Sequence, residues 1–307
     1  MAATAGETPL STAVQDAQSP WRNFAAEFFE SRLAVLGLAM LLLVAVVAIA
    51  APWISPQNPY DLAQLDVMDS KLAPGERSEG SGKVYWLGTD DQGRDMLSGI
   101  FYGLRTSLSV GVASTLFALA IGLVLGLAAA YFGGWTDAVI MRIADIQLSF
   151  PAILIALVLL AVLGQGVDKI IVALVTVQWA YYARTVRSSA LVERQKEYVE
   201  AAKVLALSQP RIVLRHLLPN CLPPLIVVAT VQVAHAISLE ATLSFLGLGL
   251  PITEPSLGLL IANGFQYLLS GKYWISFYPG VALLLTIVAI NLVADQLRDV
   301  LNPRLKR

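Results

Sequence analysis

The sequence is poor in charge. Only 14% of its 307 residues are Asp, Glu, Lys or Arg, where a soluble domain carries about 25%. With 56% hydrophobic residues and a mean hydropathy of +0.66, this excludes an ordinary soluble globular fold. The single cysteine, Cys221, excludes an intrachain disulfide framework and a cysteine-based metal site. Two histidines, His216 and His235, do not make a histidine-rich metal centre. There is no basic excess either: 21 Lys and Arg stand against 22 Asp and Glu, so the chain is not a nucleic-acid binder. A phosphate-cradling loop needs glycine ahead of its Gly-Lys pair. Gly82-Lys83 has Arg77 at that place and Gly271-Lys272 has Gln266, so both fail. HExxH and GxSxG are absent.

What is present is a set of long apolar runs. A helix crossing the hydrocarbon needs about 20 mostly apolar residues. Residues 33–54, 106–132, 146–167, 170–183, 221–239 and 273–294 are six such spans. The fourth is short and carries Gln178, Trp179, Tyr181 and Tyr182. Ahead of the first span, residues 1–20 are polar and read as a disordered tail. Trp21, Phe24, Ala25, Phe28 and Phe29 then fall on one helical stripe. That helix, 21–32, either lies on the membrane surface or packs against a neighbouring span.

Charge near the spans gives the orientation. Arg184, Arg187, Arg194, Lys196, Lys203, Arg211 and Arg215 follow span four, and Arg298, Arg304, Lys306 and Arg307 close the chain. The loop between spans one and two is acidic. The basic segments therefore face the cytoplasm, the acidic loop faces out, and six spans put both termini inside. The divisions are the first span with its outer loop, 33–105, the core, 106–296, and the cytoplasmic tail, 297–307.

The span interiors hold few ionisable groups. Glu240 is the main exception. Gln178, Gln232, His235 and Glu240 are the candidates for a polar pathway. Gln232 and His235, three apart, share a helix face; the alternative is that they hydrogen-bond to a neighbouring helix. Gly122 and Gly126 form a GxxxG face for close helix packing, in this chain or with a partner. The chain reads as the walls of a pathway whose energy comes from elsewhere.

The longest cytoplasmic stretch, 187–220, predicts two helices. The first covers about 189–207. Ser208 caps the second, Pro210 sits in its first turn, and Pro219 ends it ahead of span five. Glu200-Ala201-Ala202, position 206 and Leu218-Pro219 resemble the EAA signature of ABC-importer permeases, EAA-x3-G-x9-I-x-LP. In that family this segment is the coupling helix that docks on the ATP-hydrolysing subunit. Ala206 replaces the usual glycine and His216 the usual isoleucine. The Arg215-His216-Leu217-Leu218-Pro219-Asn220 run resembles the peptide-importer version. If the family glycine is left-handed, alanine there costs about 1–2 kcal/mol; otherwise Ala206 is helical and the bend moves to Ser208.

Trp86-Leu87-Gly88-Thr89-Asp90, Gly93-Arg94-Asp95, Ser98, Tyr102-Gly103, Arg105 and Ser107-Leu108 resemble a block found in one permease of dipeptide, oligopeptide and nickel importers. Its chemistry reads as a turn at Gly88, Asp90 or Asp91 as a helix cap, and an amphipathic helix with Leu97, Ile100, Phe101 and Leu104 on one side. Asp90, Gly93, Arg94 and Asp95 would either meet an external binding protein or only anchor span two. Leu243-Ser244-Phe245-Leu246-Gly247-Leu248-Gly249 and Leu297-Arg298-Asp299 with Asn302-Pro303-Arg304 continue the resemblance. Leu257-Gly258 departs from it, where the family has Trp-Gly.

The resemblance implies an all-α, polytopic, six-helix permease of the type I ABC importer kind in a bacterial inner membrane. It implies a partner permease, two ATP-binding subunits and an extracytoplasmic solute-binding protein, with ATP and magnesium held by the ATPase subunits and no cofactor here. Glu200, Ala201, Ala202, Ala206, Ser208, His216, Leu218 and Pro219 are the coupling positions. The rival is an ion-coupled secondary transporter, for which Glu240 alone is thin support. An intramembrane enzyme would have only His235 and Glu240, which a five-residue spacing sets apart around the helix.

Overall fold

A computed structural model describes residues 20–301. Apart from Pro20, the expected N-terminal tail lies outside the described residues, as does 302–307 of the C-terminal one. The described residues are helical throughout their long elements, with two isolated bridges, Arg77 with Val84 and Thr89 with Asp95, in the loop after the first span.

Helix α1 (Pro20–Glu30) turns at Ser31 into α2 (Arg32–Ile54). The Ser31 side chain accepts from the Ala34 amide at 3.3 Å, which caps the second helix and marks the elbow. Phe28 is buried with Ala34, Val293 and Val300, and Gln296 donates to the Glu27 carbonyl at 3.0 Å. So α1 packs against the spans on either side of it.

Helix α3 (Met96–Phe132) has 37 residues. At about 1.5 Å per residue it exceeds the hydrocarbon thickness, so it cannot lie wholly within it. The amphipathic helix and span two are thus one element. Its cap is Asp95, whose carboxylate accepts from the Ser98 amide at 2.9 Å and hydroxyl at 2.6 Å. This corrects the assignment of the cap to Asp90 or Asp91.

The third span is not a single helix. Helices α4 (Gly134–Leu148) and α5 (Ala152–Leu163) meet at about 90°. Pro151 has no amide to continue the ladder and disfavours helical backbone at Phe150, so the helix stops there. The fourth span, expected short, belongs to a 28-residue helix, α6 (Val167–Arg194). It is too polar to stand against lipid along its length. Neighbours cover it instead, and Ile170, Leu174, Val177, Gln178, Tyr182, Val186 and Ala190 are buried. Among the described residues four helical stretches are long and apolar enough to cross a membrane, and the bent pair α4–α5 would be a fifth.

The glycines of α3 explain its closest packing. A Cβ on Gly122 would lie 2.4 Å from the Tyr182 Cβ, and one on Gly126 would lie 2.6 Å from the Ala183 carbonyl oxygen. The GxxxG face therefore seats α6 of the same chain. Helix α7 (Glu197–Val204), α8 (Gln209–Ile212), α9 (Leu218–Phe245), α10 (Leu257–Phe265) and α11 (Trp274–Leu301) complete the fold. Gly258 of α10 sits so close to α9 that a Cβ would meet the Ala241 carbonyl oxygen at 2.3 Å.

Candidate functional site

The segment between α6 and α9 was expected to hold a helix over about 189–207. The structure splits that stretch. Residues up to Arg194 continue α6, Gln195 and Lys196 interrupt it, and α7 starts at Glu197. Arg194 donates to the Ala130 carbonyl at 2.9 Å, tying the end of α6 to the end of α3.

Helix α7 ends in a Schellman turn. The Leu207 amide bonds back to the Ala202 carbonyl at 3.2 Å, and the Ala206 amide to Lys203 at 3.0 Å. Ala206 has φ +52°, so it occupies the left-handed conformation. Of the two expectations for this position, the left-handed one holds, and Ala206 carries the strain a glycine would not. The chain then reverses into α8. Ser208 has the extended backbone of a cap, but its side chain makes no capping bond.

Pro219 does not end the second helix, a further correction. Gln209 to Phe245 runs as one stretch of 37 residues. The accommodation is a π-helical turn, Val213–Leu217, where the Leu218 amide bonds to the Val213 carbonyl. Widening the turn there gives Pro219, which lacks an amide, a place in the ladder without a break.

Val199, Ala202, Ile212 and Leu217 form a buried cluster between the two arms, with Tyr131, Tyr198 and Leu207 against it. The Tyr198 hydroxyl donates to Glu193 at 2.6 Å and accepts from Asn220 at 3.2 Å. Burial, then the Glu193 carboxylate, pushes the Tyr198 hydroxyl up to about 12. Asn220 also donates to the His216 carbonyl at 2.7 Å, which places His216 beside Tyr198. The outer face of this elbow is open: Glu200, Ala201, Ala206, Ser208 and Pro219 are exposed, while Ala202 is buried and Leu218 half-buried. At the tip Val204 is 86% exposed and Leu205 73% exposed, an apolar end on a braced projection.

The block ahead of α3 was expected either to meet an external binding protein or only to anchor the span that follows it. Asp90, Gly93, Arg94 and Asp95 are all buried. Asp90 accepts from the Gln92 and Arg94 amides at 2.8 and 2.9 Å, and Arg94 donates to the Ile252 carbonyl at 3.0 Å. Gly93, at φ +77°, lies so near Asp66 that a Cβ would be 2.1 Å from its carbonyl oxygen. Enclosed side chains offer no surface, so these four shape the outer loop and do not themselves present a docking face. Gln57 joins them, accepting from the Asp95 amide at 2.7 Å. Burial raises the Asp90 carboxyl to about 6.

Among the described residues no hydrogen bond joins Gln178, Gln232, His235 and Glu240 to one another. Glu240 accepts from Ser107 of α3 and Ser244 of α9, both at 2.8 Å, and is fully buried. It serves as an interhelical tie. Gln178 and Gln232 are buried, whereas His235 is exposed. The shared face expected of Gln232 and His235 does not bring them into one environment, because a three-residue step leaves them about 60° apart around the helix.

Sequence reasoning passed over the contacts between α4 and α6. Asp137 pairs with Arg187 and Asp145 with Arg184. Gln147 donates to the Thr176 and Val177 carbonyls and accepts from the Trp179 indole at 2.6 Å. Asp137, Met141 and Asp145 at four-residue steps were the available signal.

Two families match. One, described as a binding-protein-dependent transport system inner membrane component, covers residues 122–307. The other, the N-terminal TM domain of oligopeptide transport permease C, covers residues 19–74. A putative peptide transport system permease protein of Brucella suis biovar 1 (strain 1330) is 39% identical over 300 residues, 97% of each chain. The dipeptide transport system permease protein DppC of Escherichia coli (strain K12) is 40% identical over 289 residues, covering 94% of this chain and 95% of that one. The glutathione transport system permease protein GsiD of Pectobacterium atrosepticum is 36% identical, covering 94% and 93%. Among solved structures, the inward-facing MetNI methionine ABC transporter aligns with a TM-score of 0.54 at 24% identity, over 67% of this chain and 97% of its own.

Proposed function

This chain belongs to the family of binding-protein-dependent transport system inner membrane components, and we propose on that premise how it takes part in import. It is the permease component of an ABC importer of the peptide and dipeptide class, a multi-pass inner-membrane protein and not an enzyme. The observation that carries this is the match of nearly the whole chain to peptide permeases, 39% identical across 97% of both sequences. Separate subunits bind and hydrolyse ATP, and a substrate-binding protein delivers the solute. An ion-coupled carrier is not favoured: Glu240 is held by two serines inside the helix packing.

The chain crosses the membrane six times, with α4–α5 as one broken span, and pairs with a second permease to enclose the pathway. The basic elbow and both termini lie in the cytoplasm, and the acidic loop lies outside. The elbow, 187–220, is the coupling element. Its support is the braced hairpin, the EAA run at Glu200, Ala201 and Ala202, and the exposed Val204 and Leu205 at its tip. The left-handed Ala206, with Ser208, turns the projection. His216, Leu218 and Pro219 carry it into α9. ATP binding pushes the elbow and opens the pathway outward, and hydrolysis resets it.

Co-purification tests the coupling reading. Glu200→Arg should weaken recovery of the ATPase subunits with the permease, and undiminished recovery would refute the role given to α7. ATP-driven uptake of a labelled dipeptide by the complete importer in proteoliposomes tests the function itself.

A further inference from the structure

Helix α4 is mounted unlike its neighbours. It buries one residue, Ala144, whereas α5 places Ala156 and Leu160 in a cluster with Val110, Ile170, Ala173, Leu174 and Val177. Polar contacts join α4 to α6 at both of its ends and between. Asp137 pairs with Arg187 at the cytoplasmic end, Asp145 with Arg184 further along, and Gln147 bonds the Thr176 and Val177 carbonyls and the Trp179 indole beside the break. Between them lies an open cleft of about 560 Å³ lined by Met141, Asp145, Arg184, Thr185, Arg187 and Ser188. Chain breaks bound the helix on both sides. Gly133 caps it and Gly134 opens it, at φ +64° and +52°, and the 90° break at 149–151 follows it.

The half-exposed Asp145–Arg184 pair exchanges for water at small cost, and the forked Asp137–Arg187 pair, more covered, re-forms in one geometry, whereas apolar packing resists separation in proportion to its area. The seam under α4 is therefore held by polar bonds that can part and re-form, and α5 by apolar packing. Resting on the permease reading above, we propose that Asp137, Asp145 and Gln147 are positioning residues for transport. They seat α4 on α6, and the seam parts and re-forms as the cytoplasmic side opens and closes, with α5 held still. The Gly133–Gly134 turn and the 149–151 break are the two hinges.

The test uses the complete importer, with its ATPase subunits and binding protein, in proteoliposomes. Met141 of α4 and Ser188 of α6, which line the cleft from opposite sides and make no bond across the seam, are both replaced by cysteine and joined with a short reducible bis-thiol reagent. The bridged importer should lose uptake and recover it on reduction, while the unbridged variant transports. Equal uptake before and after bridging overturns the proposal. Should that variant fail to assemble, amide exchange on the unaltered importer decides. Exchange in α4 should differ between ATP-bound and nucleotide-free states, and exchange around Ala156 and Leu160 should not. The same response in both helices overturns the proposal. Wild-type vesicles that import nothing with ATP would refute the permease reading instead, and the exchange comparison then still judges the seam.

Discussion

Ala206→Gly should stabilise the turn that ends α7. At φ +52° the alanine Cβ crowds its own backbone, which costs about 1–2 kcal/mol relative to a right-handed residue. Glycine removes that cost. It also gives the opened segment more freedom, which returns about 0.4–1 kcal/mol to the open state. The net gain is about 0.5–1 kcal/mol, a two- to fivefold fall in the opening equilibrium. The reporter is the Leu207 amide, which is bonded to Ala202 at 3.2 Å only while the turn is closed. Its hydrogen exchange, corrected for the intrinsic effect of a neighbouring glycine, should slow by that factor. Ala206→Val, a branched residue in the same conformation, should quicken it. Ala201→Gly, inside the helix where glycine costs about 1 kcal/mol, should also quicken it. If Ala206→Gly leaves the exchange unchanged or faster, the strain assigned to Ala206 is wrong.

Three other outcomes are expected. Gly122→Leu should prevent α6 from seating on α3, since a Cβ there already meets Tyr182 at 2.4 Å, and should be read as loss of folded permease in a detergent sizing profile. Asp95→Ala should lower stability by about 1–2 kcal/mol in a thermal unfolding assay, because it removes the cap of α3, while Asp95→Asn should retain most of it. Asp90, raised to about 6 by burial, binds its proton more tightly in the folded chain than in the unfolded one. Its contribution to stability is therefore fully present below about pH 4 and falls as pH rises through about 6, by a total of about 3 kcal/mol. Asp90→Asn should flatten that part of the stability-pH curve; an unchanged slope would show that Asp90 is not its source.

How far the sequence could be read depended on the range of the interactions involved. The spans at 33–54, 106–132, 221–239 and 273–294 were legible because transfer into hydrocarbon sums over local composition, and to within one residue all four lie in helices long and apolar enough to cross. The cap of α3 was misplaced by a few residues because Asp90, Asp91 and Asp95 are equally good caps locally. Asp95 is selected by the pairing of Asp90 with the Arg94 turn and by Gln57 reaching in from 38 positions away. Pro219 looked like a helix stop, and the π turn before it absorbed the fault. The same residue type at Pro151 did break its helix.

By itself, then, the amino-acid sequence determined that the chain is a helical membrane protein, where its strongest spans run, and that residues 187–220 form the signature-bearing elbow, since these rest on composition and short-range spacing. Only the tertiary structure decided that Asp90, Gly93, Arg94 and Asp95 are enclosed, that Ala206 is left-handed, that Glu240 is a tie between helices, and that α4 is fastened to α6 by charges. Burial and pairing are properties of neighbours distant in the chain, and no local pattern carries them.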